Sequence, residues 1–262
     1  MADAHDTSIA QAFSLRGANA LVIGGTSGIG LAIAEGFASA GARVAIAGRS
    51  RQKIDAALKQ LLRGDAEPHG YTADVSIESE LDTLVNSVLA AFGHIDILVP
   101  AQGITKLRPA EEFTAADYDS IMNTNTRSVF FACTKVGRSM LARKQGCIIN
   151  IGSMAAHRGW PQSAVYSVSK HGVIGLTKTL AAEWADRGVR VNAISPGFFP
   201  TELTRKALSP ERRDRALRRS PIGRFGDLDE LVGAAVFLAS PAARFVTGTV
   251  INVDGGYLAG GI

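Results

Sequence analysis

The sequence predicts an α/β fold: one domain on a doubly wound parallel sheet of about seven strands, with helices on both faces. Three observations carry this. Short runs rich in Val and Ile alternate with segments of helical period along the whole chain. Several runs are continuously apolar rather than alternating, the pattern of parallel strands buried on both faces. A glycine-rich turn follows the first run and opens the first helical segment. Such alternation implies βαβ units, whose right-handed crossovers place helices on either side of the sheet.

The apolar runs at 20–23, 44–47, 95–99, 147–151, 189–194 and 250–253 read as strands. After the first, Ile29, Ile33 and Phe37 share one helical face. Leu81, Leu84, Val85 and Val88 recur at helical spacing before the third run. Val173, Leu176, Leu180 and Trp184 mark a helix before the fifth, and Leu228, Leu231, Val232 and Ala235 one before the sixth. No internal linker, low-complexity stretch or repeat interrupts the pattern. Residues 1–14 read as an N-terminal extension and 15–262 as a single domain.

The chain has 262 residues, 28 Lys and Arg against 24 Asp and Glu, and a net charge of +4. This surplus is local. Eight bases fall between Arg205 and Arg224 against Glu211 and Asp214, so the rest of the chain is slightly acidic. A general basic surface for nucleic acid is thereby excluded, and no nucleic-acid-reading motif appears. Cys133 and Cys147 sit in no CxxC pair or zinc-like cluster, which predicts buried thiols and no metal. The stretch "MADAHDTSIAQAF" has no basic region followed by an apolar one, and no apolar run reaches membrane-spanning length. The expectation is a cytoplasmic protein without a membrane partner.

The loop "GGTSGIG" carries the first chemistry. Gly24, Gly28 and Gly30 allow a tight turn and let the backbone approach a pyrophosphate, with Ser27 and Ile29 in the same turn. Free N–H groups and the helix dipole attract the anion there. About 20 residues on, an NAD site usually has an acid for the ribose 2′-hydroxyl. Here residues 42–52 contain no acid, and Gly48 is followed by Arg49. A guanidinium can bond a 2′-phosphate bidentately, so NADP(H) is expected over NAD(H).

Tyr166 and Lys170 lie four apart and share a helical face. Ser153 follows the strand at 147–151, and Asn125 lies in "MNTNTRSVFF" on an expected long helix. In this order and spacing, together with Asp74-Val75, Pro196-Gly197, Thr201 and the terminal "INVDGG", the sequence resembles the short-chain dehydrogenase/reductase family over nearly its whole length. The resemblance implies a Rossmann-type catalytic domain and interconversion of a secondary alcohol and a ketone. It makes Tyr166 the general acid/base, Lys170 its activator, Ser153 the substrate-oxygen ligand and Asn125 the anchor of a relay water. It further implies that Asp74 bonds the adenine amino group beside Val75, and that Gly103 closes the turn near the adenosine ribose. Pro196, Gly197 and Thr201 then border the nicotinamide, with Thr201 on its carboxamide.

The chemistry fits those roles. A free phenol titrates near 10, too high for an efficient base at neutrality. A nearby ammonium and a positively charged nicotinamide favour tyrosinate. Ser153 supplies a hydrogen bond where carbonyl oxygen becomes alkoxide-like. Asn125 is expected to hold its water through the carboxamide.

Two departures stand out. Ile23 replaces the Thr usual before the first glycine, and the family's "NNAG" reads Pro100-Ala101-Gln102-Gly103. Apolar packing of Ile23 on Ala101 is the expected compensation. Gln102 has no sequence-level explanation.

Residues at about 198–225 form the family's substrate lid. Its arginines suit an anionic substrate or a solvated helix capped by Ser209 with Pro210 next. The "SPGFFPTELT" run and "GGYLAGG" tail look most like members acting on sugar acids and polyols, such as gluconate 5-dehydrogenase and deoxy-keto-gluconate dehydrogenases. The alternative is a 3-oxoacyl-acyl-carrier-protein reductase, with Lys144 and Arg187 at the carrier-docking positions. A non-catalytic NADP-binding regulator is a third reading, opposed by the complete Asn125, Ser153, Tyr166 and Lys170 set. Relatives imply a homotetramer paired through helices around 115–143 and 164–187.

Overall fold

The computed structural model describes residues 8–62, 67–207 and 209–260. The first seven residues of the expected extension, lid residue 208 and the last two residues lie outside them. Seven parallel strands form one sheet in the order β3-β2-β1-β4-β5-β6-β7. They are β1 (Asn19–Ile23), β2 (Arg43–Gly48), β3 (His69–Thr72), β4 (Ile97–Pro100), β5 (Gly146–Ile151), β6 (Val189–Pro196) and β7 (Val250–Val253).

Six strands coincide with the apolar runs, although β4 begins two residues later than its run. The seventh, β3, reads HGYT, half-buried at its first three residues and exposed at Thr72. It lies at the sheet edge and pairs only with β2, from Ala45 with His69 to Gly48 with Thr72. A short edge strand does not need an apolar run, so the sequence pattern does not mark it.

Helices α2 (Gly28–Ser39), α3 (Arg51–Leu61) and α10 (Val232–Ala239) cover one face of the sheet. Ile33, Phe37, Ile54, Leu61 and Leu238 pack there against Val22, Val44 and Ile149. On the other face lie α4 (Glu78–Phe92), α6 (Ser128–Arg143) and α7 (Ala164–Trp184). Leu81, Val88, Val136, Val173 and Trp184 pack there against Leu21, Ile23 and Leu98. Successive strand residues point to opposite layers, which is why these runs are apolar at every position. A short helix α1 (Ile9–Ala12) precedes the sheet, with Leu15 buried behind it.

The expected long helix through Asn125 is interrupted. Helix α5 (Ala115–Met122) passes into a π-helical turn at Asn123–Arg127 before α6 begins. Such wide turns recur at functional sites because they redirect one side chain inside an otherwise regular rod. After β6 the chain leaves the sheet through α8 (Glu202–Ala207) and α9 (Pro210–Arg219), both within the segment, about 198–225, expected to act as the lid. All strands run the same way, so their C-terminal ends share one edge. There the order reverses between β1 and β4, opening the crevice in which such sheets bind ligands.

Candidate active site

The glycine loop enters this crevice from β1. Gly24 has φ of +77°, and a Cβ on it would stand 2.8 Å from the Gln102 nitrogen. A Cβ on Gly30 would stand 2.3 Å from the Gly24 carbonyl oxygen. Only bare backbone allows the strand end, the turn and the first turn of α2 to close on one another. Ser27 occupies the N-cap of α2 but makes no side-chain capping bond, whereas Ser50 and Ser209 cap α3 and α9 through their hydroxyls. The leading N–H groups of α2 therefore face a groove of about 380 Å³, bordered by Thr26, Ser27, Gly28, Lys53, Thr201 and Arg205. An uncapped helix start with Arg205 nearby fits the phosphates of a dinucleotide, although Lys53 is paired with Glu202 on the same rim at 2.9 Å. Ile29 packs against the neighbouring core layer.

Arg49 and Asp74 follow β2 and β3. Arg49 is 72% exposed in its side chain, with Nη1 3.9 Å from Asp74 Oδ2. Asp74 Oδ1 accepts hydrogen bonds from the Ser76 nitrogen at 3.0 Å and hydroxyl at 2.7 Å. Burial alone raises its pKa, but the Ser76 bonds and Arg49 outweigh it and hold the carboxyl below its ordinary value. Asp74 thus terminates the strand locally while its second oxygen faces Arg49. Val75 is buried, its side chain in the inner layer.

Ser153, Tyr166 and Lys170 meet where β5 ends and α7 begins. Burial raises the pKa of the Tyr166 phenol, against an opposing, lowering influence of the Ser153 side chain. Ser153 accepts from the Ala155 nitrogen at 3.1 Å, so it caps a short 3-10 turn. Lys170 is 4% exposed and donates to the Ile151 carbonyl at 2.8 Å. Burial lowers its pKa to about 8. Its Nζ lies 5.9 Å from the Tyr166 ring centre. The lowered phenol pKa expected from sequence is therefore not produced by these side chains alone.

Asn125 is fully buried on the π-turn. Its Oδ1 accepts from the Ile104 nitrogen at 2.8 Å, and its Nδ2 donates to the Ile104 carbonyl at 2.9 Å and Ser169 Oγ at 3.1 Å. Both amide hydrogens are engaged within the protein, and Oδ1, with two lone pairs, accepts one bond from Ile104. Ser169 Oγ in turn donates to the Tyr166 carbonyl at 2.7 Å. A Cβ on Gly103 would stand 3.6 Å from Asn125 Oδ1 and 3.7 Å from Lys170 Nζ.

Pro196 ends β6, and the Gly197 nitrogen donates to the Val253 carbonyl at 2.8 Å. Thr201 roots the lid over the glycine loop: its Cγ2 would lie 3.2 Å from a Cβ on Gly28, and its Oγ1 accepts from the Thr204 nitrogen at 3.1 Å.

The sequence did not reveal how the lid is held. Trp160 stacks on Phe198 at 5.2 Å, Phe198 stacks on Phe225 at 5.5 Å, and the Arg213 guanidinium lies 5.0 Å from the Phe225 centre. Arg212 Nη2 donates to the Pro161 carbonyl at 3.2 Å and to Gln162 Oε1 at 2.7 Å. Gln162 itself has φ of +66°, a left-handed conformation unfavourable without glycine. Arg224 forms a fork with Glu230. Several lid arginines therefore bind the protein itself.

One expectation changes. Ile23 and Ala101 are linked by backbone, the Ala101 nitrogen donating to the Ile23 carbonyl at 2.8 Å. Their side chains lie in opposite layers, however, so Ile23 does not pack on Ala101. Lys144 and Arg187 precede β5 and β6, at the sheet edge opposite Ser153 and Tyr166 of the same chain. Among the described residues no cluster of His, Cys, Asp and Glu suits a metal ion, and no helix is long and apolar enough to cross a membrane.

The fold and this site define an oxidoreductase that uses a nicotinamide cofactor to interconvert a secondary alcohol and a ketone. A family profile described as "Enoyl-(Acyl carrier protein) reductase" matches residues 23–258. D-threitol dehydrogenase of Mycolicibacterium smegmatis is 43% identical over 98% of this chain and 99% of its own. Gluconate 5-dehydrogenase of Gluconobacter oxydans is 40% identical over 93% and 96%. The crystal structure of a Burkholderia cenocepacia gluconate 5-dehydrogenase in complex with NADP and tartrate superposes with a TM-score of 0.92 at 36% identity, covering 96% of this chain and 99% of that one. The chain belongs to the short-chain dehydrogenase/reductase family.

Proposed function

We propose that this protein is an NADP(H)-preferring dehydrogenase of a sugar acid or polyol, with Tyr166 as its general acid/base. The observation that carries the catalytic part is the buried Lys170, fixed to the Ile151 carbonyl at the end of β5 with its Nζ 5.9 Å from the Tyr166 ring centre, and Ser153 following the same strand. In carbonyl reduction, Tyr166 donates its phenolic proton to the substrate oxygen while Ser153 hydrogen-bonds that oxygen as charge develops on it. In alcohol oxidation, Tyr166 removes the hydroxyl proton. The Lys170 ammonium stabilises the resulting tyrosinate. Asn125 acts through structure, tying Ile104 to Ser169 and hence to the Tyr166 backbone. When bound, the nicotinamide cofactor supplies or accepts the hydride.

Gly24, Ser27, Gly28, Ile29 and Gly30 would cradle the cofactor phosphates. Asp74, Val75 and Gly103 would border its adenosine, and Pro196, Gly197, Thr201, Tyr166 and Lys170 its nicotinamide half. Exposed Arg49, free of any close carboxylate contact shorter than 3.9 Å, suits a 2′-phosphate. The NADP in the Burkholderia cenocepacia structure supports this preference. The named substrates of the threitol and gluconate relatives support a small polar substrate. The far-edge placement of Lys144 and Arg187 gives no support to carrier docking at this chain's own site. Residues 15–262 serve as one catalytic domain with its lid at about 198–225, in a cytoplasmic homotetramer.

The test is a panel of polyols, free keto-acids and acetoacetyl thioesters followed by nicotinamide absorbance with each cofactor. Turnover of a polyol or sugar acid with NADP is expected, and Tyr166→Phe abolishes it while cofactor still binds. Exclusive turnover of thioesters refutes the substrate class. An NAD preference that survives Arg49→Ala refutes the cofactor assignment.

A further inference from the structure

Gln102 joins three parts of the site. Its backbone lies against the glycine loop, because a Cβ on Gly24 would meet its nitrogen at 2.8 Å and its Cα at 3.1 Å. Its side chain reaches the π-turn: Nε2 donates to Ser128 Oγ at 2.8 Å, and Ser128 Oγ donates to the Thr124 carbonyl at 2.6 Å. Two residues further, both backbone polar groups of Ile104 are held by the Asn125 carboxamide. The segment from 102 to 104 is thus fastened to the π-turn at two points. Between them lies Gly103, close to Lys170 Nζ.

A second observation is independent of these bonds. Gln102 Oε1 is buried and has no hydrogen-bond partner among the described residues. An unpaired buried acceptor costs stability, and an apolar side chain of the same shape avoids that cost. Packing alone would therefore be served as well by methionine.

We propose that Gln102 is a positioning residue that keeps the glycine loop and the Asn125 π-turn in register, and through them sets where Lys170 and Tyr166 stand. The inference rests on the catalytic reading above. Displacement of 102–104 is transmitted along Asn125 to Ser169 and the Tyr166 carbonyl. It also alters the surroundings of the Lys170 ammonium. Errors of about 1 Å in such placement cost up to about 100-fold in rate.

The experiment compares Gln102→Met, Ser128→Ala and the double variant for melting temperature, cofactor dissociation constant, kcat and the pH dependence of kcat/KM. Gln102→Met is expected to melt at or above the wild-type temperature while kcat falls about tenfold and the pH limb set by Lys170 moves. Ser128→Ala should reproduce the kinetic defect. The double variant should be no slower than the worse single variant, since both break one connection. The proposal is overturned if Gln102→Met keeps wild-type kcat and pH profile, or if the two losses multiply. It is also overturned if kcat falls only in step with lost folded protein on circular dichroism. Should Gln102→Met fail to fold, Ser128→Ala decides by the same kinetic criteria. An active Tyr166→Phe enzyme would instead refute the underlying site reading, whatever the Gln102 variants do.

Discussion

Gly30 shows how closely single residues constrain this site. A methyl group there would overlap the Gly24 carbonyl, so the helix start or the loop must move. Gly30→Ala is expected to cost about 1–3 kcal/mol of stability and to weaken cofactor binding by at least tenfold, measured by denaturant unfolding and cofactor titration. Unchanged binding would mean that the loop does not hold the phosphates. At Lys170 the constraint is electrical. Burial brings its pKa down to about 8. Its proton is thus retained at neutrality and lost within a range that kinetics can follow. Arg49 and Asp74 differ again: they stand beside one another without a tight ion pair, leaving the guanidinium available to a phosphate.

At the scale of elements, the segment expected to act as a lid is held by side chains on both sides of it. Arg212 joins α9 to the 161–162 turn, and Arg213 extends the Trp160–Phe198–Phe225 stack. Arg212→Ala is expected to loosen this closure, raising KM several-fold with a smaller effect on kcat and exposing residues 209–224 to limited proteolysis. Wild-type KM and protease resistance would show that the contact does not hold the lid. These contacts also show what a sequence can reveal. The strands of the sheet interior were legible because burial on both faces demands unbroken apolar runs. The Tyr166–Lys170 pair was legible because helical geometry converts a spacing of four into a shared face. Edge strand β3, half-buried with His69 and Tyr71, meets neither demand. The π-turn is invisible for another reason: inserting one residue in a helix leaves the surrounding apolar period nearly intact. Gln162 and Arg212 are 50 residues apart, and no local pattern brings them together.

For the whole molecule, the modest net charge conceals a division between a slightly acidic body and a basic lid. The acid stability of the body has a visible contributor at the sheet edge. Arg43 donates to His69 Nε2 at 3.1 Å, which requires the neutral imidazole. Burial and then Arg43 lower the His69 pKa, against a smaller opposite effect of Glu67. A lowered histidine pKa gives stability that is complete above the unfolded value of about 6.5 and declines as pH falls towards the folded value. Melting temperature should therefore drop between about pH 7 and pH 5, and His69→Gln should flatten part of that slope. An unaltered slope would assign the effect to other groups.

The aromatic stack has one more consequence. Of the two tryptophans, Trp184 is buried at the C-terminal end of α7, while Trp160 lies against Phe198, just after β6. The protein thus carries its own optical reporter: intrinsic fluorescence, with Trp184 as a steady background, reads any change in the Trp160–Phe198 contact without an attached dye.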